Sequence, residues 1–336
     1  MPQDAALNLD PSRITRALGF DDRGAEWLRA LSAIPSAQRS PTLPRAENAT
    51  KDLLHLGLDP DDISAVAAAM PAPHEDPEIW WLLERCYSEL VNGMGEATSI
   101  QTWQDLPDKL GDVGRFFYVY VFLAALPEVQ AYHRSRQIPD SLSWAALSDL
   151  GARMRFFKRG HERAGFNEQF WLTLHFRGAI YACGRLQFNR DHIRFPTAGT
   201  GLDTLGLEEG IDSLGVHIPE SGPLTPEECD ESLAMARNFF DRYFPENGYR
   251  VATCSSWLMD PQLAEYLPQD SNIMRFQKRF HLVAGGEPGD EEIVRFIHAR
   301  LMPVQSLPRR TTLERAVAAH LEKGNHWRVR EGWLKL

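Results

Sequence analysis

Cysteine is scarce: Cys86, Cys183, Cys229 and Cys254 are the chain's four. No pair has metal-ligand spacing and none suggests a disulfide framework, so reduced thiols and a cytoplasmic setting are expected. The eleven histidines form no HxH or HExxH pattern, so no zinc or iron centre is expected. Excess basic charge is missing as well. A net charge of −10 argues against a nucleic-acid binder, which needs a basic face, although a local basic patch for one anionic ligand stays open. The longest apolar run, "FFYVYVFLAAL" from Phe116 to Leu126, is bounded by Arg115 and Pro127. It is too short to span a bilayer and reads as a buried helix, so no membrane partner is expected. The N-terminal stretch "MPQDAALNLDPSR" has neither a basic n-region nor an apolar h-region, so no signal peptide is read. No GxSxG elbow and no internal repeat is present.

What is present reads as an ordinary soluble chain. It has 336 residues, 43% hydrophobic and 24% charged, a length typical of two domains. The first half has helical spacing. Ile14, Leu18, Trp27, Leu28, Leu31 and Ile34 recur on one stripe, as do Ile79, Leu83, Cys86 and Leu90, then Leu147, Leu150, Met154 and Phe157. The opposite face of that last segment carries Arg153, Arg155, Lys158 and Arg159. It reads either as a solvated surface or as a flank facing a phosphate. Near Phe170 the period changes to two. "FWLTLHFR" and "AIYACGRLQF" predict a hairpin joined at "RGA", with "NRDHIRF" as a third strand. "LGVHIP" predicts a further strand, and "SGPLTPEECDESLAMARNFFDRYF" a helix with Thr225 as N-cap, Pro226 at the first position and Glu228 completing a capping box. "YRVATCSSWL" predicts a strand, "DPQLAEYL" a short helix with Asp260 as cap, and "NIMRFQKRFHLV" another strand. Two helices near 289–300 and 311–323 close the chain. The expected class is α+β, with domains at 1–148 and 149–336.

The stretches "LGVHIPESGPLTPEECDESLAMARNFF", "CSSWLMDPQLAEYLPQDSNIMRFQKRF" and "LERAVAAHLEKGNHWRV" resemble a bacterial family of acyltransferase-domain proteins. That family joins a helical N-terminal acyltransferase domain to a C-terminal domain like the GCN5-related N-acetyltransferases (GNAT). The resemblance is close over most of 150–330 and looser before it. It implies a mixed, splayed β-sheet in the second domain, with "LGVHIP" and "YRVATCSSWL" as the parting strands. It implies acyl-CoA as co-substrate, its pantetheine lying in the gap like an added strand. The pyrophosphate would sit at the helix that starts at Thr225. Val216, Ile218, Ser221, Gly222, Leu224 and Thr225 are then the candidate cofactor contacts. The family's phosphate loop, Q/R-x-x-G-x-G/A, is present only as Gly222. Pro223 and Pro226 lack donors, and Glu220, Glu227 and Glu228 have the wrong sign. An acyl carrier protein, with a single phosphate, is therefore an alternative donor.

N-acyl transfer needs a base for the amine, donors for the oxyanion and an acid for the thiolate. Tyr266, in the short helix after the fifth strand, matches the family's acid, with an ordinary packed tyrosine as the plain alternative. His217 falls on the face opposite Val216 and Ile218 and suits a base, or else a structural histidine bonded to a neighbouring strand. Glu220 is the alternative base. Cys254 with His217 would form a nucleophilic dyad, but a buried cysteine normally behaves as a small hydrophobe. Cys254, Ser255, Ser256 and Trp257 are better read as cleft lining. The expected reaction is direct transfer from acyl-CoA to an amine of a small molecule or protein. A non-catalytic acyl-CoA or carrier-protein binding module and a thioester hydrolase or decarboxylase remain as alternatives.

Overall fold

A computed structural model describes residues 9–97 and 103–336. The first residues of the stretch read as carrying no signal peptide lie outside them. The chain divides into two compact units, Met1–Ala179 and Ile180–Leu336. The division thus falls later than the 148/149 boundary expected from the sequence, because the segments on either side of Gly165 pack with the first unit.

The first unit is helical: α1 (Pro11–Leu18), α2 (Asp22–Ser32), α3 (Ala46–His55), α4 (Pro60–Ala68), α5 (Pro77–Asn92), α6 (Gly111–Ser135), α7 (Asp140–Leu147), α8 (Asp149–His161) and α9 (Gln169–Phe176). The predicted stripes are its core, with Ile14, Leu28, Leu83, Cys86 and Leu150 each fully buried. In α6 the whole run Phe116–Leu126 is buried. By length and composition this helix is apolar enough to cross a membrane, but here it is the central helix of the unit and packs against α5. Three of the four cations on the basic face of α8 are paired locally. Lys158 pairs with Asp62 at 2.7 Å, Arg155 with Asp59 at 3.4 Å and Arg153 with Asp149 at 3.3 Å. The phosphate-facing reading of that face is thereby replaced by ion pairs within the unit.

"FWLTLHFR" is helix α9, not the predicted strand. Gln169, Leu172, Thr173 and Phe176 are buried while Phe170 is 48% exposed, which is the helical period and not alternation. A short apolar segment satisfies both periods, and burial of its neighbours decides. The polar residues that would have faced solvent in a strand find partners instead. Thr173 Oγ1 donates to the Phe170 carbonyl at 2.6 Å, and His175 Nδ1 lies 3.2 Å from the Trp171 carbonyl.

The second unit holds β1 (Ile180–Cys183), β2 (Leu186–His192), β3 (Asp212–His217), α10 (Pro226–Tyr243), β4 (Val251–Ser256), α11 (Asn272–Gln277), β5 (His281–Leu282), β6 (Glu287–Pro288), α12 (Asp290–His298), α13 (Thr312–Glu322) and β7 (Arg328–Lys335). The hairpin lies inside "AIYACGRLQF", with Cys183 opposite Leu186 across Gly184 at φ 70°. The sheet order is β1-β2-β3-β4-β7-β5, with β6 also on β7. Among the described residues only β3 and β4 run parallel. Two further corrections fall here. "NIMRFQ" is α11, capped by Ser271 and held by Gln277, whose Nε2 donates to the carbonyls of Leu258 and Asp260. Only His281–Leu282 of that segment is a strand. The closing segment, expected to end in helices, adds β7, whose residues 330–335 pair with all of β4.

α10 packs on one face of the sheet. Its Phe239 and Phe240 contact Tyr181 at 4.6 and 6.0 Å, and Arg190 lies over Phe244 at 4.7 Å. Directly paired residues share a face, so Tyr181, Phe188, Leu214, Val216, Ala252 and Cys254 form this apolar side. The other side carries Gln187, Asn189, Ser213, Gly215, His217, Thr253, Ser255 and Glu331.

Candidate active site

β3 and β4 pair only at Leu214 with Ala252 and Gly215 with Thr253. Beyond that point β3 continues on β2 to His217, and β4 continues on β7 to Ser256. The two strands therefore part, and their facing backbone edges from Val216 and from Cys254 onward are not paired with each other. This is the splay expected from the sequence. Val216 is a buried edge residue and Ile218 is half-buried just past it.

His217 stands on the β3 lip, on the polar face. Its Nε2 lies 2.7 Å from Asn189 Oδ1 on β2. The Asn189 amide nitrogen donates to the Arg190 carbonyl at 3.1 Å, which fixes Oδ1 toward His217 as an acceptor. Nε2 then carries a proton and donates to Asn189. Gly215 makes room for this bond, since a Cβ there would come within 2.0 Å of Asn189 Oδ1. The structural reading of His217 is met, since the neighbouring strand orients the ring. Glu220 is exposed beyond the strand end.

The β4 lip presents Ser255, exposed, and Ser256, half-buried. Ser256 Oγ accepts from the Leu258 N–H at 3.1 Å and caps a short 3₁₀ turn. Cys254 and Trp257 are each 2% exposed and belong to the core, Trp257 edge-on to Phe296 at 5.6 Å. Burial pushes the Cys254 thiol up to about 12, with Glu331 adding to the effect. Cys254 lies on the α10 face and His217 on the opposite one, so the Cys254–His217 dyad is not formed.

Tyr266 is half-buried, and its hydroxyl lies 3.1 Å from His320 Nδ1 and 3.5 Å from Lys323 Nζ. His320 is 1% exposed, lies tilted against Trp327 with ring centroids 4.0 Å apart, and its Nε2 has no partner among the described residues. A buried bare lone pair costs less than a buried orphan N–H. The proton therefore belongs on Nδ1, which donates to the phenol oxygen. With His320 and Lys323 both donating to that oxygen, the phenol's own proton points elsewhere and can be given away. His320 and Lys323, on and just after α13, escaped the sequence reading because α13 is distant in the chain. Lys323 would have been indistinguishable from any surface lysine.

The loop before α10 has Ser221 and Gly222 exposed, Gly222 at φ 81°, and Leu224 buried. Thr225 Oγ1 accepts from the Glu228 N–H at 3.3 Å, as expected of the cap. The box is only half made: the Glu228 carboxylate accepts the Thr225 hydroxyl at 2.7 Å and not its backbone N–H. The missing positive charge of the loop comes from elsewhere. Arg185, in the β1–β2 turn, donates to the carbonyls of Gly222 and Pro223, each at 2.9 Å. Arg279 donates to the Pro226 carbonyl at 2.8 Å and pairs with Asp230. Arg185 Nη1 is buried without a partner. Two guanidiniums beside the start of a helix suit a phosphate. Arg185 has no motif signal, since its place depends on the hairpin register.

A family model described as N-acyltransferase N-terminal domain matches residues 47–178, and one described as GNAT-like C-terminal domain matches 180–334. The chain belongs to this N-acyltransferase family. It is an acyltransferase. Its second unit is the GNAT-like domain, and the α+β class and splayed mixed sheet stand as expected. Among solved structures, an acyltransferase in complex with decanoyl-CoA and teicoplanin is 42% identical, with a TM-score of 0.89 over 98% of this chain and 100% of that one. An acyltransferase in complex with CoA and 10C-teicoplanin is 41% identical over the same shares, at the same TM-score of 0.89. A mutant acyltransferase in complex with octanoyl-CoA is also 41% identical, again at 0.89 over 98% and 100%. A search of curated proteins returns no match. Among the described residues no cluster of histidine, cysteine and carboxylates could hold a metal.

Proposed function

We propose that this acyltransferase moves a medium-length acyl chain from acyl-CoA to an amine of a small molecule, and that the acceptor is of the glycopeptide kind. The observation that carries the reading is the parting of β3 and β4 after Gly215 and Thr253, with His217 on one lip. The CoA and acyl-CoA complexes of relatives sharing this fold over the full chain support the donor. The teicoplanin complexes support the acceptor. Nothing supports the acyl carrier protein as donor. Arg185, whose Nη1 is buried without a partner, offsets part of the loop's acidic charge.

In this reading the pantetheine lies between the strand edges at Val216 and Cys254–Ser256, and Arg185 and the start of α10 face the pyrophosphate. His217 Nδ1 takes a proton from the amine. The nitrogen attacks the thioester carbonyl, and Tyr266 protonates the departing sulfur. No covalent enzyme intermediate is formed, consistent with the unionised Cys254. Glu220, exposed at the strand end, is left as a loop carboxylate near the donor. The free thiols of the buried cysteines support a cytoplasmic site of action.

The test is release of CoA thiol from decanoyl-CoA with and without teicoplanin, with the product weighed by mass spectrometry. Amine-dependent release and a decanoyl mass increment are expected. Release at the same rate without acceptor would identify a hydrolase instead.

A further inference from the structure

Register brings one more chemically able group to the polar face of the sheet, one strand beyond the gap, with β4 between. Gly215 and Thr253 are the last pair between β3 and β4. His217 follows on one lip and Ser255 at the matching position on the other, both on the face of the sheet away from α10. Ser255 lies directly opposite Glu331 of β7. Thr253, His217 and Glu331 are half-buried and Ser255 is exposed, so this row is reachable. Glu331 makes no side-chain hydrogen bond or ion pair among the described residues. Burial holds its carboxyl above the usual carboxylate range, Asp191 adds to this, and Arg194 opposes it. A half-buried carboxylate without a donor carries a cost in the free protein that a ligand N–H relieves.

We propose that Glu331 contacts the acceptor: its carboxylate receives an N–H of the reacting amine and orients that nitrogen across the gap from His217. The proposal rests on the reading of the chain as an amine acyltransferase, and it specifies that reading further. The preferred acceptor presents an ammonium group, not a hydroxyl, because only the ammonium gains a charge-assisted bond. The atoms balance. The ammonium gives one proton to His217 Nδ1. The freed pair attacks the thioester carbonyl carbon, so a C–N bond forms and the C–S bond breaks with its pair on sulfur. A second proton leaves the nitrogen as the sulfur gains one from Tyr266, which recovers it. The remaining N–H, which becomes that of the amide, is the one Glu331 holds.

The experiment compares wild type with Glu331→Gln, Glu331→Ala and Glu331→Asp, using decanoyl-CoA and teicoplanin, after denaturant melts show that each variant is folded. Glu331→Gln and Glu331→Ala are expected to raise the KM for teicoplanin by about tenfold or more, with the KM for decanoyl-CoA within about twofold of wild type, and Glu331→Asp to recover part of the loss. Acceptor KM and kcat in Glu331→Gln within about twofold of wild type would overturn the proposal, as would equal rises in both KM values. The two readings separate at the wild-type protein. If it shows no amine-dependent CoA release, both fall. If it transfers normally while Glu331→Gln is unchanged, only the role of Glu331 falls.

Discussion

The two faces of the second unit's sheet are built from the same strands yet do opposite work. On the α10 side Phe188, Leu214, Val216, Ala252 and Cys254 are all buried and apolar. Burial there is compensated by packing alone. On the other side the same strands present Gln187, Asn189, Ser213, His217, Thr253, Ser255 and Glu331. Gln187, Asn189 and Ser213 are buried polar residues, an arrangement that needs specific partners to be tolerated. The contrast shows where stability is concentrated and where it is given up. The apolar face holds the strands rigid. The polar face uses that rigidity to aim His217, through Asn189 and the space left by Gly215.

The contrast can be broken from either side. The largest expected effect is on chemistry with the fold untouched. Tyr266→Phe should lower kcat by roughly 10²–10⁴-fold, the range for losing a general acid, while the denaturation midpoint moves little; an unchanged kcat would remove Tyr266 from the mechanism. Phe188→Ala acts on the apolar face and should cost about 3–5 kcal/mol of stability, read from urea melts, with the KM values of the surviving folded protein near wild type. Gly215→Ala tests the link between the faces. The added methyl must displace the Asn189 side chain, which should cost about 1–3 kcal/mol and lower kcat. In an Asn189→Ala background the same methyl should cost clearly less, and equal costs in both backgrounds would show that the two residues are not coupled. The smallest effect concerns Glu331. Its carboxyl is raised in the folded state, so the folded protein binds more protons than the unfolded chain just above the ordinary carboxylate value. Its contribution is present below that value and is lost as pH rises through the folded one. Glu331→Gln should therefore melt slightly higher than wild type at pH 7, with the gap closing near pH 3, and a lower melting point at pH 7 would contradict this.

Legibility differed from segment to segment for physical reasons. The strands of "LGVHIP" and "YRVATCSSWL", the helix from Thr225 and the core stripes of α5 and α8 were readable because local period, caps and prolines agree with the tertiary outcome. "FWLTLHFR" and "NIMRFQKRFHLV" were not. Each is short enough for both periods, and bonds such as Gln277 to the Leu258 and Asp260 carbonyls settle the matter from outside the segment. The capping box at Thr225 was half right, since the geometry let Glu228 bind a hydroxyl in place of a backbone N–H. Among the site residues, His217 and Tyr266 could be nominated from strand alternation and family resemblance. Asn189, Gly215, His320, Arg185 and Glu331 could not, because each matters only through a neighbour remote in the chain.

The sequence by itself determined the α+β class, which follows from local pattern, and it implied the family, the parting strands and the acyl-thioester chemistry through resemblance to known acyltransferases. Only the tertiary structure decided that Cys254 and Trp257 are core and not cleft. It alone decided that "FWLTLHFR" is helix, that Arg185 and Arg279 reach the carbonyls of the loop before α10, and that Glu331 shares a face with His217. Burial, register and the identity of cross-strand partners are properties of the folded chain, and no window of neighbouring residues contains them.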